Sequence, residues 1–290
     1  MSQVIILDTT LRDGELVPGV QFSLDQKLQF AEHLEQAGVG VIEVGYPAIA
    51  RKDFDDVHGL AQYIKGAVIC GLANTKAQEI ECLAEALAPA QQGRMHVYTS
   101  VRFPRASTQE ETVLEQIQAG IRLARQHCAD VEWSAFDATR ADLRFLCRAI
   151  ETAIASGATT INLPDSLGIA NPEGFAEMIT TVVDRVETID QVTLSVHCHD
   201  DLGYAIANSM TALSLGARQV ECSVRGLGAR RGNADLGTLV RAIAQANSPY
   251  QTTVDSTALL NIELCLEQML SGLVDNPVEQ LPFFLAGKGN

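Results

Sequence analysis

Aromatic residues are scarce: Phe, Trp and Tyr together make up 5% of the 290 residues, with a single Trp, so a core has to be assembled from Ala, Leu, Val and Ile. Positive charge is equally short. With 21 Lys and Arg against 36 Asp and Glu the formal net charge is −15, which argues against nucleic acid or anionic membrane as a partner, since both need basic surfaces. The remaining use of such charge is solubility. Long apolar runs are lacking too. The opening "MSQVIILDTT" is apolar for only a few residues and has no basic start, so it reads as neither signal peptide nor membrane span, and a cytoplasmic protein is expected. Seven cysteines, an odd number without framework spacing, read as reduced thiols rather than a disulfide scaffold.

What is present is repetition. Eight short β-branched apolar runs recur, at 4–10, 40–46, 66–72, 95–101, 130–136, 159–165, 193–199 and 218–224. Between them lie segments of helical period such as "SLDQKLQFAEHLEQAG", with Leu24, Leu28, Ala31 and Leu34 on one face, Ser23 as N-cap and Gly38 as stop. Strands alternating with helices in this length predict a (β/α)8 barrel over residues 1–250, with function gathered at the carboxyl ends of the strands. Residues 251–290 form a separate tail. It reads as one further helix at 257–273 and then "NPVEQLPFFLAGKGN", whose Leu281, Phe283, Phe284 and Leu285 are expected to pack on the barrel or on the partner subunit of a homodimer.

The seventh run ends in "HCHDD". Strand side chains alternate, so His197 and His199 share one face while Cys198 points the other way, and two imidazoles converge at a strand end. The first run ends in "DTTLRDGE", supplying Asp8, Arg12, Asp13 and Glu15, and the eighth leads through a glycine-rich turn to Asn233. Barrel closure makes these neighbours. One carboxylate, two imidazoles and an amide oxygen form a mixed O/N set suited to Mg²⁺, Mn²⁺, Co²⁺ or Zn²⁺, and such a cation polarises the carbonyl of a 2-oxo acid.

Taken together, "LDTTLRDGE", "VIEVGYPA", "DVEWSAFDATR", "GATTINLPDSLG", "SVHCHDDLGYAIANS" and "GARQVECSVRGLGARRGNA" resemble the catalytic barrel of the 2-isopropylmalate and homocitrate synthases of the DRE-TIM metallolyase superfamily, over residues 4–245. The resemblance implies that Asp13, His197, His199 and Asn233 hold a divalent metal and that Arg12 stabilises an enolate or its oxyanion. The other reading of Arg12 is a salt bridge to Asp8 or Glu43. The implied reaction is a Claisen-type condensation of acetyl-CoA, as co-substrate, with a 2-oxo acid.

The sequence departs from those synthases at several points. Leu16 replaces a glutamine and Phe136 a glutamate thought to serve catalysis, which makes the acceptor pocket more apolar, while Ser166 replaces a common threonine. Arg102 and Arg105 stand in a segment that binds the 2-oxo acid and acetyl-CoA; they read as an anion grip or as a solvated loop. Asp200 resembles the lyase branch instead. The helical subdomain that follows the barrel in the synthases is not found in this sequence, which leaves Glu43, Asp165 and Asp200 as candidate bases, each with an alternative role in ordering the site. Three readings follow: a synthase with an altered acceptor pocket, a metal-dependent C–C lyase or aldolase like the HMG-CoA lyases, and a barrel that binds without turnover.

Overall fold

The computed structural model describes residues 1–102 and 107–273, with backbone only at 107 and 108; the apolar tail and Arg105 lie outside the described residues. Strand β1 (Ser2–Gln3) pairs in parallel with β10 (Tyr250–Gln251) outside the main sheet. The main sheet is a closed parallel barrel of eight strands in sequence order: β2 (Ile5–Asp8), β3 (Val41–Glu43), β4 (Val68–Asn74), β5 (Gly93–Ser100), β6 (Val131–Phe136), β7 (Thr160–Asp165), β8 (Thr193–Cys198) and β9 (Gln219–Cys222). Each falls within three residues of an expected run. The strand faces packed under the helices are apolar and largely β-branched, which is why the runs stand out in the sequence.

The outer ring comprises α1 (Leu24–Gln36), α2 (Arg51–Tyr63), α3 (Ala77–Leu87), α4 (Ser107–His127), α5 (Leu143–Ser156), α6 (Pro172–Arg185), α7 (Ala205–Ser214) and α8 (Leu236–Ile243), with α9 (Leu259–Ser271) packed against α1. Helix α1 starts at a capping box in which the Ser23 side chain accepts from Gln26 N and the Gln26 side chain accepts from Ser23 N. It stops at Gly38, whose φ of +84° suits glycine and whose Cβ, if it had one, would collide with the Thr253 carbonyl. Among the described residues no helix is long and apolar enough to cross a membrane. All seven cysteines are free.

The principal core lies between the barrel wall and the helices. Inside the barrel, the β2–β4 side carries a small apolar cluster of Leu7, Val41 and Cys70. The β5–β9 side is polar. Arg94 donates to Glu132 (3.0 Å) and Gln219 (2.6 Å), and Gln219 donates to Glu132 (2.8 Å) and Ser195 (2.9 Å), so these buried groups satisfy one another. Such a polar floor leaves the upper layer of the barrel free for chemistry.

Candidate active site

The short β2 strand hands over to a loop that folds back through a 3-10 turn at Gly14–Leu16. Asp13 is thereby buried against His197 and His199 from the end of β8. His197 Nε2 lies 3.6 Å, and His199 Nε2 3.8 Å, from Asp13 Oδ2, and His197 Nε2 lies 3.0 Å from Asn233 Oδ1. Asn233 reaches that point because Gly228 lacks a side chain; a Cβ there would strike the Asn233 amide. The loop is further tied by the Ala229 N–H, which donates to Asp13 Oδ1 at 3.0 Å.

This donor set fits a divalent cation. Neighbouring ligand atoms around a cation with bonds of ~2.1 Å stand roughly 3 Å apart, close to the separations found. The other ring nitrogens are taken: His197 Nδ1 is 2.6 Å from Glu221 Oε2 and His199 Nδ1 is 3.2 Å from the Gly232 carbonyl, which aims both Nε2 atoms at Asp13. Burial pushes both imidazoles below their ordinary range, His199 to about 4, so they are neutral and able to ligate. Burial alone would raise the Asp13 carboxyl, but the neighbouring Arg12 guanidinium outweighs it and holds the group ionised. Among the described residues Asn233 Nδ2 is buried without a hydrogen-bond partner, as expected of an amide turned to offer its oxygen.

Beside this cluster Arg12 donates from Nε to Glu43 Oε2 (2.7 Å) and from Nη1 to Asp13 Oδ2 (3.1 Å). Glu43 also accepts from Thr9 Oγ1 (3.0 Å) and contacts His96 Nδ1 (2.7 Å). Arg12 therefore makes the expected salt bridge to Glu43 and at the same time lines the cavity. Burial alone would lower the His96 pKa, but the charge and hydrogen bond of Glu43 overcome it and raise it to about 9. Protonated His96 donates from Nε2 to Ser134 Oγ (2.7 Å), and Asn162 Nδ2 donates to the same oxygen (2.7 Å). With two donors on its oxygen, the Ser134 hydroxyl, which lines the cavity, keeps its own proton for a further acceptor.

The folded His96 pKa lies above the ordinary 6.5, so its contribution to stability is complete below about pH 6.5 and is lost as pH rises toward about 9. The urea midpoint should fall across that interval. In His96→Gln the fall should flatten; the same slope in both proteins would show that the His96–Glu43 pair is not its source.

A cavity of about 310 Å³ joins these groups, lined on one side by Arg12, Asp13, His197 and His199 and on the other by Leu72, Tyr98, Phe136 and Pro164. Phe136 packs edge-on against Tyr98, with ring centroids 6.1 Å apart. Ser166 lines the cavity and accepts from Asp137 N at 2.9 Å. Leu16 is 58% exposed and off the cavity wall, and Arg102 lies 3.8 Å from Asp137. Glu43, Asp165 and Asp200 are also off the wall. The Asp165 carboxylate accepts from Thr139 Oγ1 (3.2 Å) and Ala170 N (2.9 Å), and that of Asp200 from Ala205 N (2.9 Å). His96, Ser134, Asn162 and Glu221 are site residues that the sequence reading passed over. Their signal was a pair of polar residues two positions apart in each strand: Arg94 and His96, Glu132 and Ser134, Thr160 and Asn162, Gln219 and Glu221.

Fold and site together define a (β/α)8 barrel with a buried cation-type donor cluster at the carboxyl ends of its strands. The chain belongs to the HMGL-like family, whose model matches residues 3–265. It is 47% identical over 263 residues to a 2-isopropylmalate synthase of Rhodopseudomonas palustris, covering 89% of this chain and 50% of that protein. To a 2-isopropylmalate synthase of Carboxydothermus hydrogenoformans it is 41% identical over 286 residues, covering 96% and 55%. The chain thus spans about half the length of the curated relatives it matches. Among solved structures it resembles a hydroxymethylglutaryl-CoA lyase of Pseudomonas aeruginosa, with a TM-score of 0.77, 21% identity and 93% of each chain covered, a likeness of fold.

Proposed function

We propose that this barrel catalyses a divalent-metal-dependent Claisen-type condensation of acetyl-CoA with a 2-oxo acid, followed by attack of water on the new thioester, giving a 2-alkylmalate-type product and free CoA. The observation that carries it is the convergence of Asp13, His197, His199 and Asn233 beside Arg12 on one cavity wall, in a chain 47% identical to a 2-isopropylmalate synthase. Mg²⁺, Mn²⁺, Co²⁺ or Zn²⁺ held by those four residues would polarise the acceptor carbonyl.

The chain's own residues supply the rest. Arg12 places a fixed positive charge where the enolate and the new alkoxide carry negative charge, and Glu43 keeps the guanidinium aimed. Three partners surround Glu43 and its pKa is depressed, because Arg12 and His96 outweigh its burial. It therefore acts as a positioning group, not as a proton acceptor. The Ser134 hydroxyl, aimed by His96 and Asn162, donates to the acceptor's carboxylate or carbonyl. Leu72, Tyr98, Phe136 and Pro164 exclude water and receive the acceptor's side chain. Those four side chains are aromatic or apolar, which favours apolar acceptors over dicarboxylic ones.

The test is thiol release from acetyl-CoA, with Mg²⁺ or Mn²⁺ and chelator controls, across 2-oxoisovalerate, 2-oxoglutarate, pyruvate and glyoxylate. Chelator-sensitive release with an apolar acceptor is expected. No release with any acid, from protein shown to hold metal, overturns condensation and favours the second reading, C–C cleavage of a 3-hydroxy acid or its thioester, which Asp200 in "HCHDD" supports. For the assembly we propose a cytoplasmic homodimer, in keeping with seven free cysteines.

A further inference from the structure

Lys27 is fully buried in α1, on the same face as Phe30, Ala31 and Leu34. Lysine is almost never fully buried unless paired, and removing its charge from water is costly even after relaxation. An apolar residue would fill that position without the cost, so the reason for a lysine lies in what Nζ contacts. It donates to the Leu11 and Val44 carbonyls, both at 2.9 Å, and it pairs with Glu15 Oε2 (2.7 Å) and Asp56 Oδ2 (3.0 Å).

The two carbonyls decide the matter. Leu11 immediately precedes Arg12 and Val44 immediately follows Glu43, so one ammonium ties together the two chain segments that carry the Arg12–Glu43 pair. The β2–β3 ladder itself is short, with Leu7 opposite Val41 and Asp8 opposite Ile42. Beyond it no backbone hydrogen bond joins these two segments among the described residues. The links left are side chains: Thr9 and Arg12 to Glu43 on the cavity side, and Lys27 behind.

We propose that Lys27 is a positioning residue that sets the distance between the Arg12 and Glu43 segments and so aims the guanidinium and Asp13 at the cavity. This rests on the condensation reading only for its kinetic consequence. Lys27→Met leaves no carboxylate stranded, because Lys52 Nζ also reaches Glu15 (3.1 Å) and Asp56 (2.7 Å).

The experiment compares wild type, Lys27→Met and Lys27→Gln with and without Arg12→Lys, reading thermal midpoint, kcat, KM and the Mn²⁺ dissociation constant. Misplacement by about 1 Å can cost roughly 10²-fold, so kcat in Lys27→Met should fall 10- to 100-fold with KM for acetyl-CoA within about three-fold. Lys27→Gln, which can still donate to one carbonyl, should lose less. On the Arg12→Lys background the same change should cost under about three-fold, since the group it aims is already displaced. Full kcat per folded molecule in Lys27→Met, or full additivity with Arg12→Lys, overturns the proposal. If the wild type shows no turnover, condensation fails separately and Mn²⁺ binding decides: Lys27→Met should weaken it about five-fold, and an unchanged constant in both folded variants overturns the positioning role.

Discussion

With His197 and His199 both replaced by alanine, the purified protein should carry no divalent metal above background by elemental analysis, whereas the wild type should carry about one equivalent per chain. The two imidazoles are half of the four-residue donor set, and their Nε2 atoms are aimed at Asp13 by the Glu221 and Gly232 contacts. Removing them leaves one carboxylate and one amide oxygen, too few to compete with water for a transition metal. Loss of carbonyl polarisation is worth several kcal/mol, so turnover should fall by ~10³-fold or more and stay there when Mn²⁺ is added back. Metal retained at wild-type level in the double variant would remove the site as assigned.

Arg12→Ala should behave in the opposite way, keeping metal while losing turnover. Asp13 remains tied by Ala229 N and faced by both histidines, so the donor cluster survives. What disappears is the charge beside the reacting oxygen, and losing one such preorganised donor typically costs about 10²–10³-fold in kcat. Glu43 also loses its arginine. A lower thermal midpoint is therefore expected, limited by His96 and Thr9, which still face that carboxylate. Arg12→Lys should recover only part of the rate, because a single ammonium cannot span Glu43 and Asp13 as the forked guanidinium does. Activity of Arg12→Ala within a few-fold of wild type would refute the charge-stabilising role.

Much of the architecture could be read along the chain because its cause is local. Each strand turns an apolar face to the helices, so β2 to β9 are visible as eight runs, and Ser23 and Gly38 mark the limits of α1 by capping rules that involve only nearby backbone. The histidine pair was legible for the same reason, since period-two alternation puts His197 and His199 on one face wherever β8 sits.

The rest depended on closure. His96, Ser134, Asn162 and Glu221 are single polar residues in separate apolar strands, and nothing local distinguishes a cavity wall from a polar plug such as Arg94–Glu132–Gln219. Asp165, Asp200 and Leu16 show the reverse. Asp165 ends β7 and Asp200 follows β8, but their carboxylates are taken up by the backbone N–H groups of Ala170 and Ala205, and Leu16, in the 3-10 turn after β2, is 58% exposed. The sequence by itself determined the barrel and placed the two histidines on one face at a strand end, because these follow from periodicity and short-range stereochemistry. Only the tertiary structure decided which polar groups face one another across the barrel, how far apart Arg12 and Glu43 are held and which carboxylates are already occupied, because each of those is a distance between residues that the chain alone leaves unset.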